Sequence, residues 1–329
     1  MIFRPVEPSG LSRLRPLLAP DPASALSARQ FEARLESGEY RAAWTWIAEE
    51  SPGAMPAAAA IWWGTAREEL PAALDGLFAR PDPSGSGRDT GGAVRAGSRT
   101  ALAADLLTAA HEAFAEAGLA RPPDFHILLP PDWRDRPDVT ASLDWRLEAA
   151  RRAGLTSILE RVRFEWTPEA GVPEPAGRLR FRPEPDDEVF IGLFSGVLAG
   201  TLDATSRNIA AHFGARTQAS RDVAFYRDHM LGQRSWWRVA ETLDGDVAGF
   251  GVPSRNTDVP VVGYLGVVPE HRGHGYAGEI LAEITRILVA EAGAAVIEAD
   301  TDLENRPMAA AFERAGYRSA GRRLVLAAG

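Results

Sequence analysis

The sequence predicts an α/β chain with mixed (α+β) sheets, divided into two related domains in tandem. Three observations carry that expectation. Strand and helix patterns alternate through both halves of the 329 residues, a length that itself favours two domains. Residues 167–178, Thr-Pro-Glu-Ala-Gly-Val-Pro-Glu-Pro-Ala-Gly-Arg, interrupt both patterns with a run rich in Pro and Gly. Short strings also recur at the same place in each half. Phe3-Arg4-Pro5 returns as Phe181-Arg182-Pro183, each followed closely by Glu-Pro, and Arg152-Ala153-Gly154 returns as Arg314-Ala315-Gly316. Each Arg-Ala-Gly ends a helical pattern and precedes a closing strand, so a duplication explains both matches. The expected domains are 1–170 and 178–329.

Taken in order, residues 2–6 read as a short strand. Leu11 to Leu35 has a helical pattern cut by Pro16, Pro20 and Pro22. Arg41 to Glu49 and Ala57 to Thr65 are Trp- and Ile-bearing strands joined by the turn Ser51-Pro52-Gly53. Residues 81–100 are dense in Pro, Gly, Ser and Asp and read as a loop. Ala101 to Ala117 is an amphipathic helix stopped by Gly118, Phe125 to Leu129 a strand, Leu143 to Ala153 a helix, and Arg161 to Trp166 a strand. The second half restarts with a strand at Leu179 to Arg182 and helices at 186–199 and about 218–231, with a less regular stretch between them. Trp236 to Glu241, Val247 to Val252 and Val259 to Val268 form an antiparallel meander, its first turn signalled by Asp244-Gly245. A helix at Ala277 to Glu291, a strand at Ala294 to Ala299, a helix at Glu304 to Ala315 and a strand at Arg322 to Leu326 complete the chain.

Composition excludes several chemistries. The absence of cysteine removes disulfides, thiolate metal sites and a thiol nucleophile. Every basic side chain is arginine, so there is neither a Schiff-base lysine nor the lysine of a P-loop. The net charge of -9 argues against general nucleic-acid binding and favours cationic small molecules. No apolar stretch reaches membrane-spanning length and the N-terminus has no signal-peptide pattern, so a cytoplasmic protein with no membrane partner is expected.

The stretch with most chemical content is Tyr264-Leu-Gly-Val-Val-Pro-Glu-His-Arg-Gly-His-Gly-Tyr-Ala277. An apolar strand exits at Pro269 and passes through Gly273 and Gly275 into a helix. Such a turn exposes backbone N–H groups at the positive end of a helix dipole, where phosphate binds. Gly273-x-Gly275-x-x-Gly278 also fits a dinucleotide fingerprint. However, the strand before it belongs to an antiparallel meander, and too little chain follows for a doubly wound sheet. Arg88-Asp-Thr-Gly91-Gly-Ala93 has similar spacing in the first half, but no strand leads into it and no helix leaves it.

Read as Arg272-x-x-Gly275-x-Ala277 after Pro269-Glu-His, the turn resembles the pyrophosphate-binding motif of the GNAT N-acetyltransferases. A second block, Asn305 opening a helix that ends at Gly316-Tyr317, is similar to the family's later segment. The resemblance covers residues 179–329, and the whole layout resembles tandem two-domain GNAT proteins with a degenerate N-terminal copy. It implies acetyl-CoA as cosubstrate, no metal, and transfer to a primary amine of a small molecule or peptide by direct attack in a ternary complex. The backbone of Gly273, His274, Gly275, Tyr276, Ala277 and Gly278 would cradle the pyrophosphate, with Arg272 adding positive charge or pairing with Glu270, and Asn305 near the cofactor. The pantetheine arm would pair with the backbone from about Leu265 to Val268, where the N–H of Val267 or Val268 would polarise the thioester carbonyl.

Direct attack needs a neutral amine and so a proton acceptor. Glu298 and Asp300 share one strand face by alternation and are the first candidates. The family's usual tyrosine acid has Phe312 at its position, which leaves Tyr264, Tyr317 or solvent to protonate the thiolate. Tyr226 and Trp236 are candidates for the acceptor wall, although alternation sends Trp236 and Trp237 to opposite faces. A monomer or homodimer is expected. The rival reading from another class is a catalytically weak CoA-binding sensor or interaction module, kept open by Phe312 and by the missing motif in the first half.

Overall fold

The structure is a computed structural model that describes residues 1–65, 68–81 and 99–329. The loop expected at 81–100 therefore lies, from 82 to 98, outside the described residues, as does the Arg88–Ala93 string. The chain forms two compact units, Met1–Glu160 with Arg322–Gly329, and Arg161–Gly321.

The first unit contains β1 (Ile2–Pro5), α1 (Ala28–Ser37), β2 (Tyr40–Glu49), β3 (Ala58–Trp63), β4 (Ala73–Ala79), α2 (Arg99–Glu116), β5 (Asp124–Leu129) and α3 (Pro137–Arg152). Its strands run in the order β1-β2-β3-β4-β5, antiparallel except for the parallel pair β4/β5. Residues Arg322–Leu326 complete it, antiparallel to β5. The helical pattern read over Leu11–Leu35 resolves into a 3-10 segment at Pro8–Leu14 and α1, with the three prolines between them. Helix α1 starts at a capping box, in which Ser27 and Gln30 satisfy each other's backbone N–H, and stops at Gly38 with φ 80°. Strand β4 is absent from the sequence reading because Ala-Leu-Asp-Gly-Leu-Phe-Ala contains few strand formers. Pairing with β3 and burial on both faces hold it instead.

The second unit contains the end of β6 (Ser157–Trp166), then β7 (Leu179–Pro183), α4 (Asp187–Val197), α5 (Ala204–Phe213), α6 (Ala215–Asp228), β8 (Arg238–Thr242), β9 (Val247–Arg255), β10 (Pro260–Val267), α7 (Tyr276–Ala292), β11 (Ile297–Asp302) and α8 (Arg306–Arg314), and it reaches the start of β12 (Arg318–Ala327). Its strands repeat the first unit's order: β7-β8-β9-β10 antiparallel, β10/β11 parallel, and then β6 antiparallel to β11 from Arg161↔Asp302 to Trp166↔Ile297. The linker read at 167–178 thus lies inside the second unit, because the strand before it is hydrogen-bonded there.

Helix α3 and strands β6 and β12 begin four to six residues earlier than expected, and three further differences bear on the second unit. The stretch read as irregular between two helices is α5, capped by Asp203, which accepts from the Ser206 N–H at 2.7 Å. Strand β11 begins and ends three residues later than expected, so Asp300 and Asp302 lie within it. Trp236 ends a 3-10 turn and the strand begins only at Arg238. The sheet is covered on both faces. Alternation sends Ala240 to the core under α7 and α8, and Val239 to the core under α4 and α6. Among the described residues no helix is long and apolar enough to cross a membrane.

Candidate functional site

The site is built where β10 and β11 part. The two parallel strands match at Val261↔Glu298 and diverge beyond that point. On its other side β10 stays paired with β9, where the Val268 N–H donates to the Ala248 carbonyl at 3.0 Å. The alternation of an antiparallel ladder then turns the amides of Leu265 and Val267 away from β9, into the gap. Of the two residues expected to offer an N–H to a carbonyl, Val267 is therefore placed to do so. Val268 is not, because its N–H is spent on Ala248 and its half-buried side chain packs against the core under α4.

At the end of β10 the chain makes a 3-10 turn at Pro269–His271 and enters α7 through Gly273 and Gly275, with φ 83° and 77°. No side chain caps α7 at Gly275, so its first N–H groups face the cleft. Two arginines brace this turn. Arg272 donates from Nε to the Val267 carbonyl (3.2 Å), from Nη1 to that of Ala199 (2.6 Å) and from Nη2 to that of Val197 (2.8 Å). It thereby ties the turn to the C-terminal end of α4, where a cation complements the helix dipole, and does not pair with Glu270. Arg178, which sequence reasoning left in the linker, donates to the His274 carbonyl (2.8 Å) and to buried Glu279 in the first turn of α7 (2.7 Å). His274 bonds through Nδ1 to the His271 carbonyl and stacks on Tyr276, outside the cleft lining.

A cleft of about 640 Å³ results, floored by Leu265 to Val267 and bounded by Arg272, Gly273, Gly275, Tyr276, Ala277 and Gly278. Asn305, Met308 and Arg314 form its other wall. Asn305 also caps α8 by accepting from the Met308 N–H at 3.4 Å, so the structural and the cofactor-facing roles coincide. Arg314 is a cation at the cleft that the sequence reading did not single out.

A second cavity, of about 330 Å³, adjoins the first and shares Thr201, Tyr264, Leu265, Asn305 and Met308 with it. Its distinctive lining is polar: Arg161, Asp203, Ser206, Gln218, Asp222 and Asp300 among others. Arg161 lies between Asp203 and Asp302, 3.6 Å from each, and Arg163 between Glu298 (2.8 Å) and Asp300 (3.8 Å). The shared strand face of Glu298 and Asp300 is thus real, but it serves one arginine. Asp300 reaches the cavity lining and Glu298 lines neither cavity.

Asp222 differs from the other carboxylates. Its hydrogen bond comes from the neutral Gln218 amide at 2.8 Å, and burial, reinforced by Asp203, pushes its carboxyl up to about 7. No sequence signal marked it, since a single Asp on an amphipathic helix reads as solvated. Burial also pushes the hydroxyls of Tyr264 and Tyr226 well above the ordinary tyrosine range, so both stay protonated. Tyr226 donates to the Gly263 carbonyl at 2.6 Å, and its ring walls the cavity. Trp236 lies in the core under α7 and lines neither cavity. Phe312 stacks on Phe164 at 5.0 Å, while Tyr317 is buried on Thr285 at 2.7 Å. Among the described residues no group of three His, Asp or Glu side chains is arranged to hold a metal.

In the first unit the corresponding parallel pair β4/β5 is also short, matching at Ala73↔Asp124 and Leu74↔Phe125. There the gap is filled. Arg146 of α3, 1% exposed, donates to the Leu77 carbonyl at 3.0 Å and to Asp21 at 2.9 Å, leaving a cavity of about 80 Å³. Arg146 stands six residues before Arg152 of the repeated Arg-Ala-Gly, and Met308 six before Arg314, so Arg146 takes the place of Met308, one of the residues that line both cavities in the second unit.

Residues 207–317 match the model of the acetyltransferase (GNAT) family. No curated protein matches the sequence significantly. Among solved structures the fold is similar to a GCN5-related N-acetyltransferase from Sphaerobacter thermophilus, with 16% identity, TM-score 0.56, and 98% of this chain and 94% of that one covered. It is also similar to a tandem GNAT protein from the clavulanic acid biosynthesis pathway, with 15% identity, TM-score 0.51, and 100% and 98% covered. A GCN5-related glucosamine N-acetyltransferase region of a fungal multi-domain β-N-acetylglucosaminidase has 14% identity and TM-score 0.54, and the match covers 98% of this chain and 38% of that one.

Proposed function

We propose that this chain, which carries a GNAT-family domain at residues 207–317 within a tandem GNAT fold, transfers an acetyl group from acetyl-CoA to a primary amine in a ternary complex. The observation that carries the reading is the parting of β10 from β11 directly before a glycine turn and an uncapped helix N-terminus. One strand edge and one anion site, in line, suit a thioester arm that ends in a pyrophosphate.

Each part has a task. The first N–H groups of α7 receive the pyrophosphate, with the charges of Arg272, Arg178 and Arg314 nearby. The strand edge at Leu265 pairs with the pantetheine arm, the Val267 carbonyl being held by Arg272. The Val267 N–H polarises the thioester carbonyl, and its hydrogen bond strengthens as the oxygen gains charge. The adjoining cavity admits the amine to the other side of that carbonyl. Attack forms the C–N bond and collapse breaks the C–S bond. Tyr264 lines both cavities and retains its proton, which makes it the donor to the departing thiolate.

Calorimetric titration with acetyl-CoA and CoA tests the reading, with one equivalent expected per chain because Arg146 fills the first unit's gap. No heat at micromolar protein would remove the main support. Two equivalents would contradict the role given to Arg146.

A further inference from the structure

We propose that Asp222 is the group that takes the proton from the incoming ammonium, an inference that rests on the acetyl-transfer reading above. The cavity beside the cofactor cleft contains several carboxylates, and charge pairing separates them. Asp203 and Asp302 share Arg161, while Glu298 and Asp300 share Arg163. Asp302 also accepts the Ala204 N–H at 2.6 Å. Asp222 instead accepts a hydrogen bond from the uncharged Gln218 amide and, among the described residues, lines the cavity with no arginine bonded to it.

The groups around it come from every wall. Gln218 and Tyr226 share its helix, Asp203 and Ser206 come from the start of α5, Tyr264 from β10, Asp300 from β11 and Arg161 from β6. Burial and the neighbouring Asp203 carboxylate together raise the proton affinity of Asp222 towards neutral pH, while both tyrosines stay protonated and uncharged. A carboxyl poised in this way exchanges protons without a large barrier in either direction, which is the requirement for a base near neutral pH.

The proton count closes. The amine enters as an ammonium and gives one proton to the Asp222 carboxylate, which later returns it to solvent. The neutral nitrogen forms the C–N bond to the carbonyl carbon, the C–S bond breaks as Tyr264 protonates the CoA sulfur, and the second amine proton restores the Tyr264 hydroxyl. A monocationic primary amine fits best, because only this one carboxylate of the set lacks an arginine.

The test uses the full-length protein with CoA bound and carbon-13 in the aspartate carboxyls, titrated by NMR from acidic to alkaline pH. One carboxyl titrating near neutral is expected in the native chain, absent from Asp222→Asn and moved to lower pH in Asp203→Asn, where the opposing charge is gone. In parallel, thiol release from acetyl-CoA with n-butylamine should fall by on the order of 100-fold in Asp222→Asn and lose its acidic limb, with partial recovery in Asp222→Glu. Overturning results are no aspartate titrating near neutral, a titration that survives Asp222→Asn, or thiol release within about threefold of the native rate. Absence of CoA binding in the native chain would instead count against acetyl transfer itself, and the carboxyl titration would still judge Asp222.

Discussion

Asp222 is the residue at which stability and activity are expected to oppose each other. Its carboxyl holds a proton up to about 7 in the folded chain, against a reference of 3.8. Between those values the folded state binds more protons than the unfolded chain. The stability it contributes on the acid side is therefore lost as pH rises through about 7. Asp222→Asn removes that loss, and after a discount for partial solvent access it should raise stability at alkaline pH by on the order of 1–2 kcal/mol. At pH near 4 it should change little. Urea unfolding at both pH values reads the difference, and an equal shift at both would mean that the carboxyl does not titrate as described. The candidates named from sequence, Glu298 and Asp300, were found by alternation, a one-strand property. What separates Glu298 from Asp222 in the structure is which carboxylate has an arginine beside it, and that is set by segments distant in sequence.

At the scale of elements, the strand–turn–helix unit was the legible part. Pro269, Gly273 and Gly275 encode its geometry locally, and the turn stands where it was read. Gly275 has φ 77°, a region that costs a residue with a side chain about 1–3 kcal/mol. Gly275→Ala should lower thermal stability by about that amount and weaken acetyl-CoA binding in calorimetry. Gly192→Ala, in the middle of α4 with open space around it, should be neutral or stabilising. If both substitutions cost the same, backbone conformation is not what the turn requires. The elements missed, β4 and α5, share a cause. Their local propensities are weak, and tertiary pairing in one case and an Asp203 cap with burial in the other supply what the sequence window lacks.

At the scale of the molecule, each compact unit includes strand residues from the C-terminal end of the other half of the sequence. The second unit takes Arg161–Trp166, whose six residues pair with β11 and bring Phe164 and Trp166 into its core. A fragment 176–329, cut at the linker that composition suggests, would lack all of that. Losing two large buried aromatics costs roughly 3–5 kcal/mol each, which approaches or exceeds the whole stability of a typical domain. The fragment should therefore fail to give a cooperative thermal transition by circular dichroism. A transition matching that of the full chain would show that the strand is dispensable.

The sequence by itself determined the α/β class, the doubled layout, the glycine turn and most of the residues around it, because these depend on periodicity and on backbone conformations that particular residues favour. Only the tertiary structure decided that Val267 rather than Val268 offers its N–H, and that Arg272 grips α4. It also decided that Arg146 fills the first unit's gap and that, among the described residues, Asp222 lines the second cavity with no arginine bonded to it. Each of these depends on which groups compete for the same hydrogen bond or charge. That competition is between segments far apart in the chain, where no local pattern records it.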